Sequence, residues 1–229
     1  DPVRRGRVIG RPAGRQGKPR PRDVAEINWR SELKTLDGAA WRQLFLDART
    51  HNGWSDRPVD DALLRRLYGL ARMGPTALNS QPVRLVFLKS REAKERLRPL
   101  LASGNVEKTM EAPVTAVVAY DTEFYEKMAR LVPHAPEAGK RIGGMDPESR
   151  RQMALLSASL QGGYVILAAR GLGLDCGPMT GFDNAKLDAE FFPDGKWKSV
   201  FLLNLGYGDA SRLHPRAPRL EFDEACRVL

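Results

Sequence analysis

The segment from Pro147 to Arg170 constrains the fold more than any other part of the chain. It has no internal proline, it closes on Gly171, and it sets the small residues Ala154, Ser157, Ala158 and Gly162 along its length. This pattern predicts one long helix that stops at a glycine, with a surface that neighbours can approach closely, and so places it centrally. The nearly apolar run Leu155–Leu174 is interrupted by Ser, Gln, Gly and Arg. It is expected to be too polar for a bilayer helix.

Around that helix the pattern alternates between helical and strand periods. Asp37 is placed to cap a helix carrying Trp41, Leu44, Phe45 and Ala48 at helical spacing, which delivers Arg49-Thr50-His51-Asn52. A second helix is expected from about Asp60, with Leu63, Leu64, Leu67, Leu70 and Ala71 as its buried stripe and Gly74-Pro75 as its stop. Strands are expected at Val83–Leu88, Val114–Tyr120 and Ser199–Leu205, and further helices at Arg91–Leu101 and near Asn184–Phe192. Ser103-Gly104-Asn105 and Asp175–Asp183 are expected to be turns. The excursion Glu123–Met145 is rich in Pro and Gly; its Phe124, Tyr125 and Met128 are taken for a lid over a substrate, with core packing as the alternative. Tyr164 and Trp197 are assigned to packing. No domain boundary is expected within 35–229.

Charge is uneven. The chain carries a formal +9, and residues 1–34 hold ten Lys or Arg against four Asp or Glu. That leaves only +3 on the rest. The first 22 residues are Gly, Pro and Arg with almost no large apolar side chain, a composition that does not repay ordering, so 1–34 is expected to be a basic, disordered extension. Nucleic-acid contact through this arm is the competing non-enzymatic reading, but no aromatics interleave its arginines, so a nucleic-acid partner is not expected. No secretory leader pattern opens the chain and a cytoplasmic location is expected. The two cysteines, Cys176 and Cys226, and the three histidines lack redox or metal-ligand spacing. No metal is expected, and Cys176 is taken as a buried residue, not a nucleophile.

Neither a glycine-rich dinucleotide fingerprint nor a P-loop is present. A phosphate would need arginines, and Arg49, Arg216 and Arg219 are candidates because the guanidinium fork matches phosphate oxygens; taken alone, each reads more readily as a solvated surface charge. Three further clusters follow in order: Gly74-Pro75-Thr76-Ala77-Leu78-Asn79-Ser80-Gln81-Pro82, then Ser103-Gly104-Asn105, then Gly177-Pro178-Met179-Thr180-Gly181-Phe182. With Arg-Thr-His-Asn ahead of them, the set resembles the FMN-dependent nitroreductase family over about Leu36 to Leu229. DARTHNGW, MGPTALNSQPVR, SGNVEKTMEAPVTAVVA, LGLDCGPMTGFD and LGYGDASRLHPRAPRL are most similar to the malonic semialdehyde reductase branch of that family, which acts in pyrimidine catabolism.

The resemblance implies an α+β fold, a central mixed sheet flanked by helices, in an intertwined homodimer with FMN at the subunit interface and NADH or NADPH as co-substrate. It implies that Arg49, Thr50, His51 and Asn52 line the phosphate, ribityl and pyrimidine side of FMN. Pro75, Thr76, Ala77 and Asn79 would approach from the partner subunit, and Asn105 would meet the polar edge of the ring. Pro178, Thr180 and Gly181 would lie along the flavin face, and Arg216 and Arg219 would bind the phosphate. The chain departs from the pattern at Gly53, where relatives often carry a basic residue, and at Thr180, where many carry Glu.

Overall fold

A computed structural model describes residues 35–229; the basic extension expected over 1–34 lies outside the described residues. Four strands form one sheet in the order β1-β2-β4-β3: β1 is Val83–Leu88, β2 Val114–Asp121, β3 Asp175–Met179 and β4 Trp197–Gly206. All three pairings are antiparallel. The mixed character of the sheet comes down to a single parallel bridge between Thr50 and Cys176.

Strand β2 is buried at every residue, with period-two alternation. Ala116, Val118 and Tyr120 face one core and Val117 and Ala119 the other. The first core is closed by α2 (Asp61–Ala71), by the central helix α7 (Pro147–Gly171) and by the excursion between β2 and α7; the second lies under α3 (Arg91–Leu97) and α8 (Asn184–Phe191). Leu67 of α2 is fully buried in the first core, so truncating it to alanine is expected to cost about 3 kcal/mol.

Helix α7 lies where its small residues predict. Asp146 caps it through Ser149 N at 2.9 Å, Pro147 fills its first turn, and Ala154, Ser157, Ala158 and Gly162 are buried. A β-carbon at Gly162 would lie 2.6 Å from the Phe201 ring of β4, so glycine is what lets helix and sheet meet. By length and composition α7 is apolar enough to cross a membrane, contrary to expectation. Its packing assigns it to the core of a globular fold, because it lies against all four strands and α2.

Several local expectations are corrected. The first helix is only Gly38–Trp41 (α1), capped by Asp37 through Ala40 N at 2.7 Å, before a wider π-turn over Arg42–Leu46. On α2, Leu64, Leu67 and Ala71 are buried but Leu70 is exposed. Ser103-Gly104-Asn105 is the opening turn of a helix, α4 (Ser103–Glu111), and Asp175–Met179 is a strand. The second correction has a physical reason: β3 is an edge strand, the one place in a sheet where a proline such as Pro178 costs no ladder bond. Phe124 and Met128 are fully buried in the first core and Tyr125 packs against it, so they serve packing instead of a lid. Short helices α5 (Met128–Leu131) and α6 (Ala138–Gly143) complete the excursion, and α9 (Phe222–Ala225) lies in the tail.

Candidate functional site

Four stretches far apart in sequence meet at one end of the sheet. The first, Arg49–Trp54, is stitched to β3 by the Thr50–Cys176 bridge and by His51 N donating to Cys176 O at 3.0 Å. The second, the turn after β3, meets the start of α4: Ala102 N and Asn105 Nδ2 both donate to Gly181 O, at 2.9 and 2.8 Å. The third is α4 itself. Its Lys108 carbonyl accepts from Trp54 Nε1 at 2.9 Å and from the buried Asn204 Nδ2 at 3.2 Å. The fourth is the arm after β4, where Asp209 N donates to Gly53 O at 3.0 Å and Ser55 N donates to Tyr207 O at 2.9 Å.

The arm and the first stretch also exchange side chains. Arg49 donates to His214 O, and Arg216 Nη2 donates to Leu46 O at 2.7 Å and Ala48 O at 3.1 Å. Both guanidiniums are therefore held by neutral carbonyls, and their charge stays available to an anion. Among the described residues Arg219 donates only to carbonyls of its own arm, Ala217 and Pro218, and it is exposed. Thr50, Pro178 and Thr180 are exposed at the same end of the sheet.

His51 behaves differently from its neighbours. The residue is 6 % exposed, with Nε2 at 3.3 Å from Asp175 Oδ1, and its imidazole packs on the backbone of Gly208, whose amide donates to Asp175 Oδ2 at 2.8 Å. Its Nδ1 has no partner among the described residues. Cys176, next to Asp175, is buried, and burial pushes its thiol up to about 12, so it remains an inert thiol as expected.

Sequence reasoning missed Lys108. It lies one helical turn beyond Asn105, half-buried, with Nζ at 3.4 Å from Asn52 Oδ1, and the described residues give it no carboxylate partner. Burial pulls its ammonium below the usual lysine range. The i, i+3 spacing from Asn105 was the available signal, hidden because Ser-Gly-Asn was taken for a turn.

The loop Gly74–Pro82 lies elsewhere. Ala77 N donates to Ser157 Oγ at 3.3 Å, Asn79 Nδ2 to Leu131 O at 3.0 Å and Gln81 N to Thr76 Oγ1 at 3.1 Å, while Gly74 packs on the Tyr164 ring. The loop is thus seated on α7 and the excursion, with Pro75, Ala77 and Asn79 exposed. Of the expected site residues, those in the first and second stretches, Asn105 of α4 and Arg216 of the arm converge, while Arg219 stays on its own arm and Pro75, Thr76, Ala77 and Asn79 do not join them within one chain.

At this end of an α+β sheet the guanidiniums of Arg49 and Arg216 and the Lys108 ammonium have no carboxylate partner among the described residues, a setting that suits an anion. The Nitroreductase family model matches residues 47–207, and the chain belongs to that family, a family of oxidoreductases. It is 56 % identical over 197 residues to a Ralstonia nicotianae protein named by inference an NADH dehydrogenase/NAD(P)H nitroreductase, covering 86 % of this chain and 100 % of that one. It is 54 % identical over 196 residues to a similarly named Burkholderia lata protein, covering 86 % and 100 %. Among solved structures it is similar in fold to a Bacillus subtilis protein described by inference as a nitroreductase (TM-score 0.76, 20 % identity, 83 % of this chain and 99 % of that one). An Exiguobacterium sibiricum protein so described, solved in complex with FMN, gives a TM-score of 0.74 at 17 % identity, over 85 % and 98 %.

Proposed function

We propose that the chain is a soluble, cytoplasmic, FMN-dependent NAD(P)H oxidoreductase that works as a homodimer. The observation that carries this is the pair of guanidiniums from distant parts of the chain, Arg49 held on the His214 carbonyl and Arg216 on those of Leu46 and Ala48, with no carboxylate partner among the described residues. A phosphate monoester fits such a pair. Lys108, Asn52 and Asn105 supply polar partners for a flavin ring edge, and the orphaned buried Nδ1 of His51 is a further unsatisfied group at the same end. FMN bound there supplies hydride transfer between reduced nicotinamide and acceptor, while the protein's own groups bind and orient it. Pro75, Thr76, Ala77 and Asn79 then serve the site of the neighbouring subunit.

Support for a dimer comes from the surface. Leu156 and Leu160 of α7 are 73 % and 47 % exposed, and Met73 and Leu78 flank the loop at 74 % and 50 %. A stripe of this size on a central helix suits a second copy of the chain.

The acceptor we favour is malonic semialdehyde, reduced to 3-hydroxypropionate, on the strength of the five motifs that resemble that branch. A broader nitroreductase or quinone reductase activity is the second reading, favoured by the names of the relatives. Turnover with malonic semialdehyde, a nitroaromatic and a quinone separates them, and negligible aldehyde turnover rejects the first. FMN titration of Arg49→Ala tests the site itself. Affinity for FMN should fall at least tenfold and affinity for riboflavin, which lacks the phosphate, much less; equal losses would move the phosphate elsewhere. Removing residues 1–34 should leave reductase activity intact.

A further inference from the structure

Arg212 of the C-terminal arm lies directly on the backbone of Gly53. A β-carbon on that glycine would come within 2.5 Å of Arg212 Cδ and 2.7 Å of its Nε. The guanidinium continues to α4, where Nη1 meets Glu111 Oε2 at 2.6 Å and Nη2 meets Glu107 Oε1 at 3.0 Å. One side chain thus joins the arm, the first stretch and the helix that carries Asn105 and Lys108.

Lys108 lies between those two glutamates in sequence. Glu111 is three residues on, at the spacing where side chains on one helix face meet and a lysine–glutamate pair forms. Yet the described residues give Lys108 no carboxylate, only the 3.4 Å approach to Asn52 Oδ1, because both glutamates are turned to Arg212. We propose that Arg212 is a positioning residue for the FMN site: by engaging Glu107 and Glu111 it keeps the Lys108 ammonium uncommitted and held toward Asn52, and Gly53 is the residue that makes room for it. Cationic character beside position 53, where the chain itself carries no side chain, comes from the opposite end of the sequence. The planar, two-pronged guanidinium bridges two carboxylates in a way a lysine ammonium does not.

The inference rests on the FMN reading, and the experiment separates the two. Apoprotein is titrated with FMN, followed by quenching of flavin fluorescence, for the wild type, Arg212→Ala and the double variant Arg212→Ala/Glu111→Gln, with thermal denaturation alongside. Arg212→Ala should weaken FMN about tenfold with little change in melting temperature, because Glu111 then captures Lys108. The double variant should return to within about threefold of wild type, since glutamine cannot form that ion pair. Unchanged affinity in Arg212→Ala overturns the proposal. So does a double variant as weak as the single one, the outcome of a purely mechanical clamp. Failure of the wild type to bind FMN would instead remove the cofactor reading.

Discussion

The two stretches that the family pattern assigns to one cofactor are built in opposite ways. The end of the sheet where Arg49–Trp54, α4 and the C-terminal arm meet is closed by hydrogen bonds between distant parts of the chain, a contact of the buried His51 with Asp175 and glycines that leave no spare space. The Gly74–Pro82 loop is a single thread laid over α7. Leu78, Asn79 and Gln81 hold positive φ of 52°, 52° and 44°, a region that asparagine tolerates but that is unfavourable for leucine and glutamine, and the apolar Leu78 faces outward. One region is complete within the chain, and the other has the form of a surface awaiting a partner. A strained backbone persists only where its surroundings hold it. Here Ser157, Leu131 and Thr76 do so.

The largest effect should come from the outward face. Leu156→Lys with Leu160→Lys is expected to abolish the proposed dimer in sedimentation velocity and FMN binding with it, while unfolding of the separated chain changes by only about 0.5 kcal/mol, as for exposed positions generally. If the chain stays dimeric, the contrast between the two regions fails. Gly208→Ala attacks the closed region. Its methyl group would run into the buried His51 imidazole, so denaturant unfolding should show a loss of about 3 kcal/mol; a loss under about 1 kcal/mol would mean that this end yields more easily than its packing indicates.

A smaller effect should appear with pH at the far end of α4. Lys94 is buried, donating to Thr109 O at 3.0 Å and to Ala112 O, and burial pulls its ammonium from 10.5 down to about 8. Between those values the unfolded chain holds more protons than the folded one, so this group's contribution to stability rises with pH across that window and is flat below it. Unfolding measured at pH 7.5 and 9.5 should show the rise, and Lys94→Met should remove it. The smallest change is expected for Leu78→Gly, which relieves a positive φ at the cost of an exposed side chain. It should stabilise the isolated chain by at most about 1 kcal/mol and weaken the dimer, as judged by melting temperature against protein concentration.

Much of this was legible in the sequence because it depends on local patterns. Small residues along 147–170 and a closing Gly171 specify a central helix whatever surrounds it, and the β-branched apolar run Val114–Tyr120 specifies a buried strand. Local readings failed where the tertiary setting overrode them. Asp-Cys-Gly-Pro-Met reads as a turn until it lies at a sheet edge, where Pro178 is tolerated. Ser-Gly-Asn reads as a turn until Ala102 and Asn105 are anchored on Gly181. Phe124 and Met128 read as a lid until the excursion folds back into the first core.

The candidate site divides along the same line. The sequence by itself determined which residue types were present and in what order: arginines at 49, 212, 216 and 219, asparagines at 52 and 105, and a glycine at 53. Only the tertiary structure decided that Arg212 lies on Gly53 and engages Glu107 and Glu111, that Lys108 has no carboxylate partner among the described residues, and that His51 turns toward Asp175. Charge pairing depends on distances of a few ångströms between residues more than a hundred positions apart, and no periodicity along the chain encodes those distances.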